Sequence, residues 1–180
     1  MVSAQWLLLT YKVPPEPAAK RIALWRKLKG MGAIYLQNGV CLLPENADHR
    51  RRLKMLENDI SAMGGEALIL AMNALDRSQE DKVIARFNAD RDEQYREFLG
   101  RCAGFEAEIA KEIAKAKFTY AELEEEDADL RKLQAWLDKI RRLDFYGAAL
   151  AGEAAERLAA CEALLDGYAK RVFDAHDENR

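Results

Sequence analysis

The stretch from Arg21 to Pro44, RIALWRKLKGMGAIYLQNGVCLLP, leaves this chain few ways to fold. A helical period runs to Met31 and is stopped by Gly30 and Gly32. Asn38-Gly39 then sits between two short apolar runs, Ala33 to Gln37 and Gly39 to Leu43. An Asn-Gly pair so flanked is a strong short-range hairpin signal. One residue breaks the pattern. At about 100° per residue, Ala18, Ile22, Leu24, Trp25, Leu28 and Met31 form a broad apolar arc, and Arg21 falls near its middle. A guanidinium aimed at a core needs an acidic partner or a function, because a lone buried charge is very costly.

The flanking sequence extends this unit on both sides. Residues 6–13, WLLLTYKV, read as a strand stopped by Pro14-Pro15, and Glu16 to Met31 as the first helix, with Pro17 near its first turn. Pro44 closes the second hairpin strand. Asn46 can cap a helix to about Met63 that carries Leu53, Leu56 and Ile60 on one side. Gly64-Gly65 stop it, and Glu66 to Ala74 form a last strand. The order β-α-β-β-α-β within residues 1–76 predicts a ferredoxin-like α+β domain, two helices on one face of a four-stranded antiparallel sheet.

Strand signals disappear from Ser78 onward. Ser78-Gln-Glu-Asp81 is a helix-start pattern, and apolar periodicity continues through Tyr95, Phe98, Cys102, Phe105, Ile109 and Ile113. Thr119-Tyr-Ala-Glu122 opens a further helix to about Leu143, Asp144 to Gly147 make a turn, and a final stripe runs from Leu150 to Val172. Residues 77–180 therefore read as an all-α domain of about three helices, a hairpin or bundle joined at Asp76 to Ser78.

Composition narrows the function classes. No apolar run approaches the roughly 20 residues that span a bilayer, and no signal peptide is evident, so a cytoplasmic location without membrane contact is expected. Cys41, Cys102 and Cys161 form no C-x-x-C, which disfavours a disulfide framework or zinc knuckle. Cys102 and Cys161 lie on helical faces expected to pack together. Residues 1–76 carry a net charge of +3 and residues 77–180 a net −6, too little positive charge for a strong nucleic-acid footprint. His49 and His176 are the sole histidines. Ser3, Ser61 and Ser78 have no histidine placed to suggest a triad. No nucleotide-binding loop, nucleophile elbow or zinc-binding motif appears. No enzyme activity, cofactor or metal is expected.

Several constellations remain. Arg21 can pair with Glu122 or Glu124 of the helical half. Alternatively, Arg21, Arg26 and Lys29 can form a tetrahedral-oxyanion site, since the guanidinium fork suits such anions. Arg50, Arg51, Arg52 and Lys54 make a basic cluster that reads as solvated surface or as a contact for nucleic acid or an acidic partner. Glu122, Glu124, Glu125, Glu126, Asp127 and Asp129 suit the positive end of a capped helix and fan around it rather than converge.

The opening block resembles the N-terminal domain of the ChrB family of bacterial chromate-resistance proteins. The matching residues are Trp6-Leu-Leu-Leu, Tyr11-Lys-Val-Pro14, Arg21-x-x-x-Trp25-Arg26-x-Leu28-Lys29, Gly32-Ala33, and Gly39-Val40 to Leu43-Pro44. Arg91 to Glu97 and Phe118-Thr-Tyr-Ala-Glu-Leu-Glu-Glu125 extend the likeness. It implies a non-enzymatic regulatory or sensing role, transcriptional control with an oxyanion response to chromate or sulfate. The chain would act through protein contacts, with itself as a homodimer or with another regulatory protein. The C-terminal domain of longer members is not seen in this sequence.

The first half is also similar to phenylacetate-type repressors and to ferredoxin-like CRISPR nucleases. Those nucleases place an aspartate at the end of their first strand, where this chain has Thr10-Tyr11-Lys12. Two alternatives stay open: a structural dimerisation module, and a nucleic-acid-binding protein or degenerate nuclease.

Overall fold

The computed structural model describes residues 5–177; Ser3 lies outside them. Its first six elements are β1 (Gln5–Lys12), α1 (Ala18–Gly30), β2 (Ile34–Gln37), β3 (Val40–Pro44), α2 (Ala47–Ala62) and β4 (Glu66–Asn73). The strands lie in the order β2-β3-β1-β4, and every neighbouring pair is antiparallel. This is the expected ferredoxin-like sheet. The apolar run Trp6 to Leu9 follows from its place: β1 is central and carries packing on both faces. Leu7 and Leu9, with Cys41 and Leu43, join a core with Leu24, Leu28, Leu53 and Ile60 of α1 and α2. Trp6, Ile34 and Leu42 belong to a second cluster with Phe87.

The Asn38-Gly39 turn forms where expected, although of the two only Gly39 has a positive φ, +71°. Its carbonyl accepts from the Tyr11 backbone N–H at 2.8 Å, which ties the turn to β1. The strand register is irregular between Tyr35 and Gln37. Asn46 caps α2 as its sequence implied, its side chain accepting from the His49 backbone N–H at 2.7 Å.

Helix α1 corrects one expectation. Its buried residues are Leu24 and Leu28, with Met31 just beyond, while Ile22 and Trp25 are about half exposed. Arg21 is exposed rather than aimed into a core. Leu24, Leu28 and Met31 follow the i, i+4, i+7 spacing of a narrow stripe. The helix settles on that stripe, which leaves the Trp25 side to solvent.

Helix α3 (Arg77–Ala114) is continuous for 38 residues. Asp76, not Ser78, caps it, accepting from the Gln79 backbone N–H at 3.0 Å. Residues 5–90 and 143–146 form one compact unit, and residues 91–142 and 147–177 another. Within the sheet unit, Val83, Ile84 and Phe87 of early α3 cover the second sheet face together with Phe145 and Tyr146.

The helical unit comprises the rest of α3, α4 (Tyr120–Arg142) and α5 (Ala151–Asp177). Tyr95, Phe98, Ile109, Leu137, Cys161 and Tyr168 are among its fully buried core residues. Thr119 caps α4 by accepting from the Glu122 backbone N–H at 3.2 Å, and the Tyr168 hydroxyl donates to the Lys117 carbonyl at 2.7 Å. No helix among the described residues is long and apolar enough to cross a membrane.

Candidate functional site

A cleft of about 870 Å³ in the sheet unit lies between α1, the end of β1 and the β2–β3 turn. It exists because α1 buries its leucine stripe and turns Arg21, Ile22 and Trp25 toward open space. Gly39 closes it from the strand side and Lys29 lines it further along α1. The Arg21 guanidinium donates to the Pro15 carbonyl at 3.5 Å and forms no ion pair among the described residues. Lys29, by contrast, is paired with Asp90 at 3.1 Å.

Two phenols form the polar wall of the cleft. The hydroxyls of Tyr11 and Tyr35 lie 2.8 Å apart. Burial pushes the Tyr35 phenol far up, and the hydrogen bond to Tyr11 adds to the effect. Burial also raises Tyr11, while the Arg21 charge pulls the other way. Both groups stay protonated near neutral pH; one hydroxyl donates to the other, which leaves one O–H of the pair as a donor beside a cation. Behind them the buried Cys41 thiol is pushed up to about 12 by desolvation, which keeps it a neutral thiol and a poor nucleophile.

The remaining sequence candidates are placed as follows. Arg26 is exposed on α1 and does not line the cleft, so Arg21 and Lys29 meet there without it. The carboxylate of Glu122 is held by Lys117, and Glu124 is exposed on α4. An exposed Arg21 removes the need for a buried acidic partner. In the basic cluster, Arg50 pairs with Glu45 at 2.5 Å, Arg51 and Arg52 with Asp48 at 2.7 and 3.7 Å, and Lys54 with Glu57 at 3.1 Å. Its charge is therefore largely balanced locally. Cys102 and Cys161 are buried neighbours, with the Cys161 thiol 3.8 Å from the Cys102 carbonyl. Burial pushes the Cys161 thiol up to about 12. No group of three or more metal-ligating side chains is assembled among the described residues.

Two features escaped the sequence reading. Strand parity places Tyr11 on the same face as Leu7 and Leu9, a signal that could have put it beside α1. Glu126, inside the acidic run, is only 3% exposed. Burial raises its carboxyl to about 7, and Asp129 and Glu125 on α4 with Glu108 and Glu112 on α3 push the same way. Folding then favours the protonated form. The contribution is fully present below about pH 4.5, its ordinary value, and is lost as pH rises through about 7. Glu126→Gln should flatten that part of the pH profile and stabilise the protein at pH 8 by about 1–3 kcal/mol. Thermal melts at pH 5 and pH 8 check this; equal shifts at both values would remove Glu126 as the titrating group.

A family model described as Protein ChrB, N-terminal, matches residues 21–179. The chain belongs to the ChrB N-terminal family. The ChrB protein of Cupriavidus metallidurans is 30% identical over 145 residues, which cover 78% of this chain and 40% of that protein. The match therefore spans well under half the length of that ChrB relative. No solved structure matches the chain. The ChrB-family match begins at Arg21, and so takes in Trp25, Lys29, Tyr35 and the hairpin but not Tyr11.

Proposed function

We propose that this ChrB-type chain is a non-enzymatic regulatory and sensing protein of the cytoplasm, and that its sheet-unit cleft receives a tetrahedral oxyanion of the chromate or sulfate type. The unpaired Arg21 guanidinium beside the Tyr11–Tyr35 hydroxyl pair carries this reading. Chromate and sulfate only accept hydrogen bonds, and the Arg21 guanidinium, with the one phenol O–H not spent in the Tyr11–Tyr35 bond, supplies donors to them. Lys29 is drawn off by Asp90, so Arg21 supplies most of the attraction. Occupancy would be signalled through contacts with a second copy or another regulatory protein.

Isothermal calorimetry with potassium chromate and potassium sulfate tests the oxyanion part. Binding heat is expected with the intact chain, and Arg21→Ala should weaken the affinity at least tenfold, about 1.4 kcal/mol. Absence of heat with both anions, or unchanged affinity in Arg21→Ala, would overturn it.

A second reading, as a dimerisation module, is favoured by β4. This strand stands at the sheet edge, and its Leu68 and Leu70 are about half exposed. An edge strand with apolar side chains is suited to pairing with another chain. A monomer by light scattering at high micromolar concentration would count against it. The balanced charges on α2 leave DNA binding without comparable support.

A further inference from the structure

The helical unit carries a groove that the chemistry of the cleft does not use. Helices α4 and α5 run side by side, with Tyr120 at the start of one meeting Phe173 near the end of the other at 5.9 Å between ring centroids. Along this seam lies a depression of about 600 Å³ with an apolar floor that includes Leu165. Its aromatic end is open: Tyr120 is 51% and Phe173 49% exposed. The rims are acidic on both sides, with Glu124 and Asp127 from α4 and Glu162 and Asp166 from α5. Arg131 balances Asp127 at 2.9 Å and Lys170 balances Asp166 at 3.2 Å, while Glu124 and Glu162 form no ion pair among the described residues.

We infer that this groove is a docking site for a basic amphipathic helix of another protein, seated by its apolar side with lysines or arginines over Glu124 and Glu162. The dimensions suit that occupant. From Glu162 to Phe173 the α5 wall runs about 16 Å, three helical turns, enough for anchors at i, i+3 or i+4, and i+7. The charge selects among occupants. Anionic lipid and nucleic acid would both meet like charge on each rim. A helix with an apolar stripe bordered by cations meets opposite charge and an aromatic anchor point together. The inference concerns α4 and α5 alone and does not depend on what the sheet-unit cleft binds.

The test uses the full chain and a labelled 14-residue helical peptide of leucine and lysine, with leucines at i, i+3 or i+4, and i+7. Two controls accompany it, one with every lysine changed to glutamate and one with the same composition in scrambled order. Fluorescence anisotropy should show binding of the lysine peptide alone, weakening as salt rises. Glu124→Lys with Glu162→Lys should reduce that affinity at least tenfold and admit the glutamate peptide. Phe173→Ala should reduce it at least threefold with an unchanged circular dichroism spectrum. Equal binding of the scrambled peptide, no binding of the lysine peptide, or indifference to the charge reversal would each overturn the proposal. A dimer seen by light scattering that Phe173→Ala dissociates would instead assign the groove to a second copy and overturn it too.

Discussion

Trp6→Ala should destabilise the sheet unit by about 3–5 kcal/mol, the range for deleting a large aromatic from a packed interior. Trp6 is fully buried, and its indole is the largest member of the cluster that holds Ile34, Leu42 and Phe87 on the second sheet face. The loss has two parts. A cavity replaces the ring, and the Tyr146 hydroxyl loses the Nε1–H donor that it accepts from at 2.8 Å. The parts can be separated, since Tyr146→Phe removes the hydrogen bond while leaving the indole in place. That change should cost about 1–3 kcal/mol, the penalty for leaving a buried donor unmade. Urea titrations of the three proteins check the ordering. A shift below about 1 kcal/mol in Trp6→Ala would mean that the second face is not a true core.

Gly39→Ala is expected to act through both stability and the cleft. A Cβ at this position would lie 2.4 Å from the Tyr11 carbonyl oxygen, a backbone atom that cannot swing aside, and the residue's φ of +71° disfavours any side chain. Left-handed backbone and overpacking together suggest a cost of about 2–4 kcal/mol. Relief requires the hairpin to move off β1, which would also break the Tyr11 N–H to Gly39 carbonyl bond and displace the tyrosine pair. Anion affinity should therefore fall along with stability. Gly30→Ala is the contrasting control: nothing lies within 4 Å of its added Cβ, and within a helix the change should be neutral or stabilising by up to about 1 kcal/mol. If both alanines behave alike, close approach at Gly39 is not the cause.

Most of the sheet unit was legible because its signals are local. Pro14-Pro15, Asn38-Gly39, Pro44, Asn46 and Gly64-Gly65 each act through their own backbone preferences, and each marks an element end within a residue or two. The orientation of α1 was not local. Two apolar faces compete on that helix, one through Leu24 and Leu28 and one through Ile22 and Trp25, and the sheet selects the narrower. Arg21 consequently passed from an anomaly inside a core to a cation at the rim of a cleft. Hydrogen-bond partners across the sheet, such as Tyr11 with Tyr35, depend on register and are invisible to periodicity. Glu126 was hidden for a different reason. Its neighbours in the acidic run suit a solvated helix start, and only the packing of α3 against α4 singles it out.

The return of residues 143–146 to the sheet unit bears on how the chain can mature during synthesis. A ribosome releases β1 to β4 early, and these strands contain every backbone partner the sheet uses. Phe145 and Tyr146 emerge about seventy residues after the last strand, yet they cover the face that Trp6 occupies. Until then only Val83, Ile84 and Phe87 of early α3 are available to cover that face, and the rest of it is a nascent apolar surface. A gene fragment ending after β4 would leave that face uncovered, and one ending midway through α3 would leave it without Phe145 and Tyr146. No single cut between β4 and α4 therefore yields a sheet that carries its complete cover.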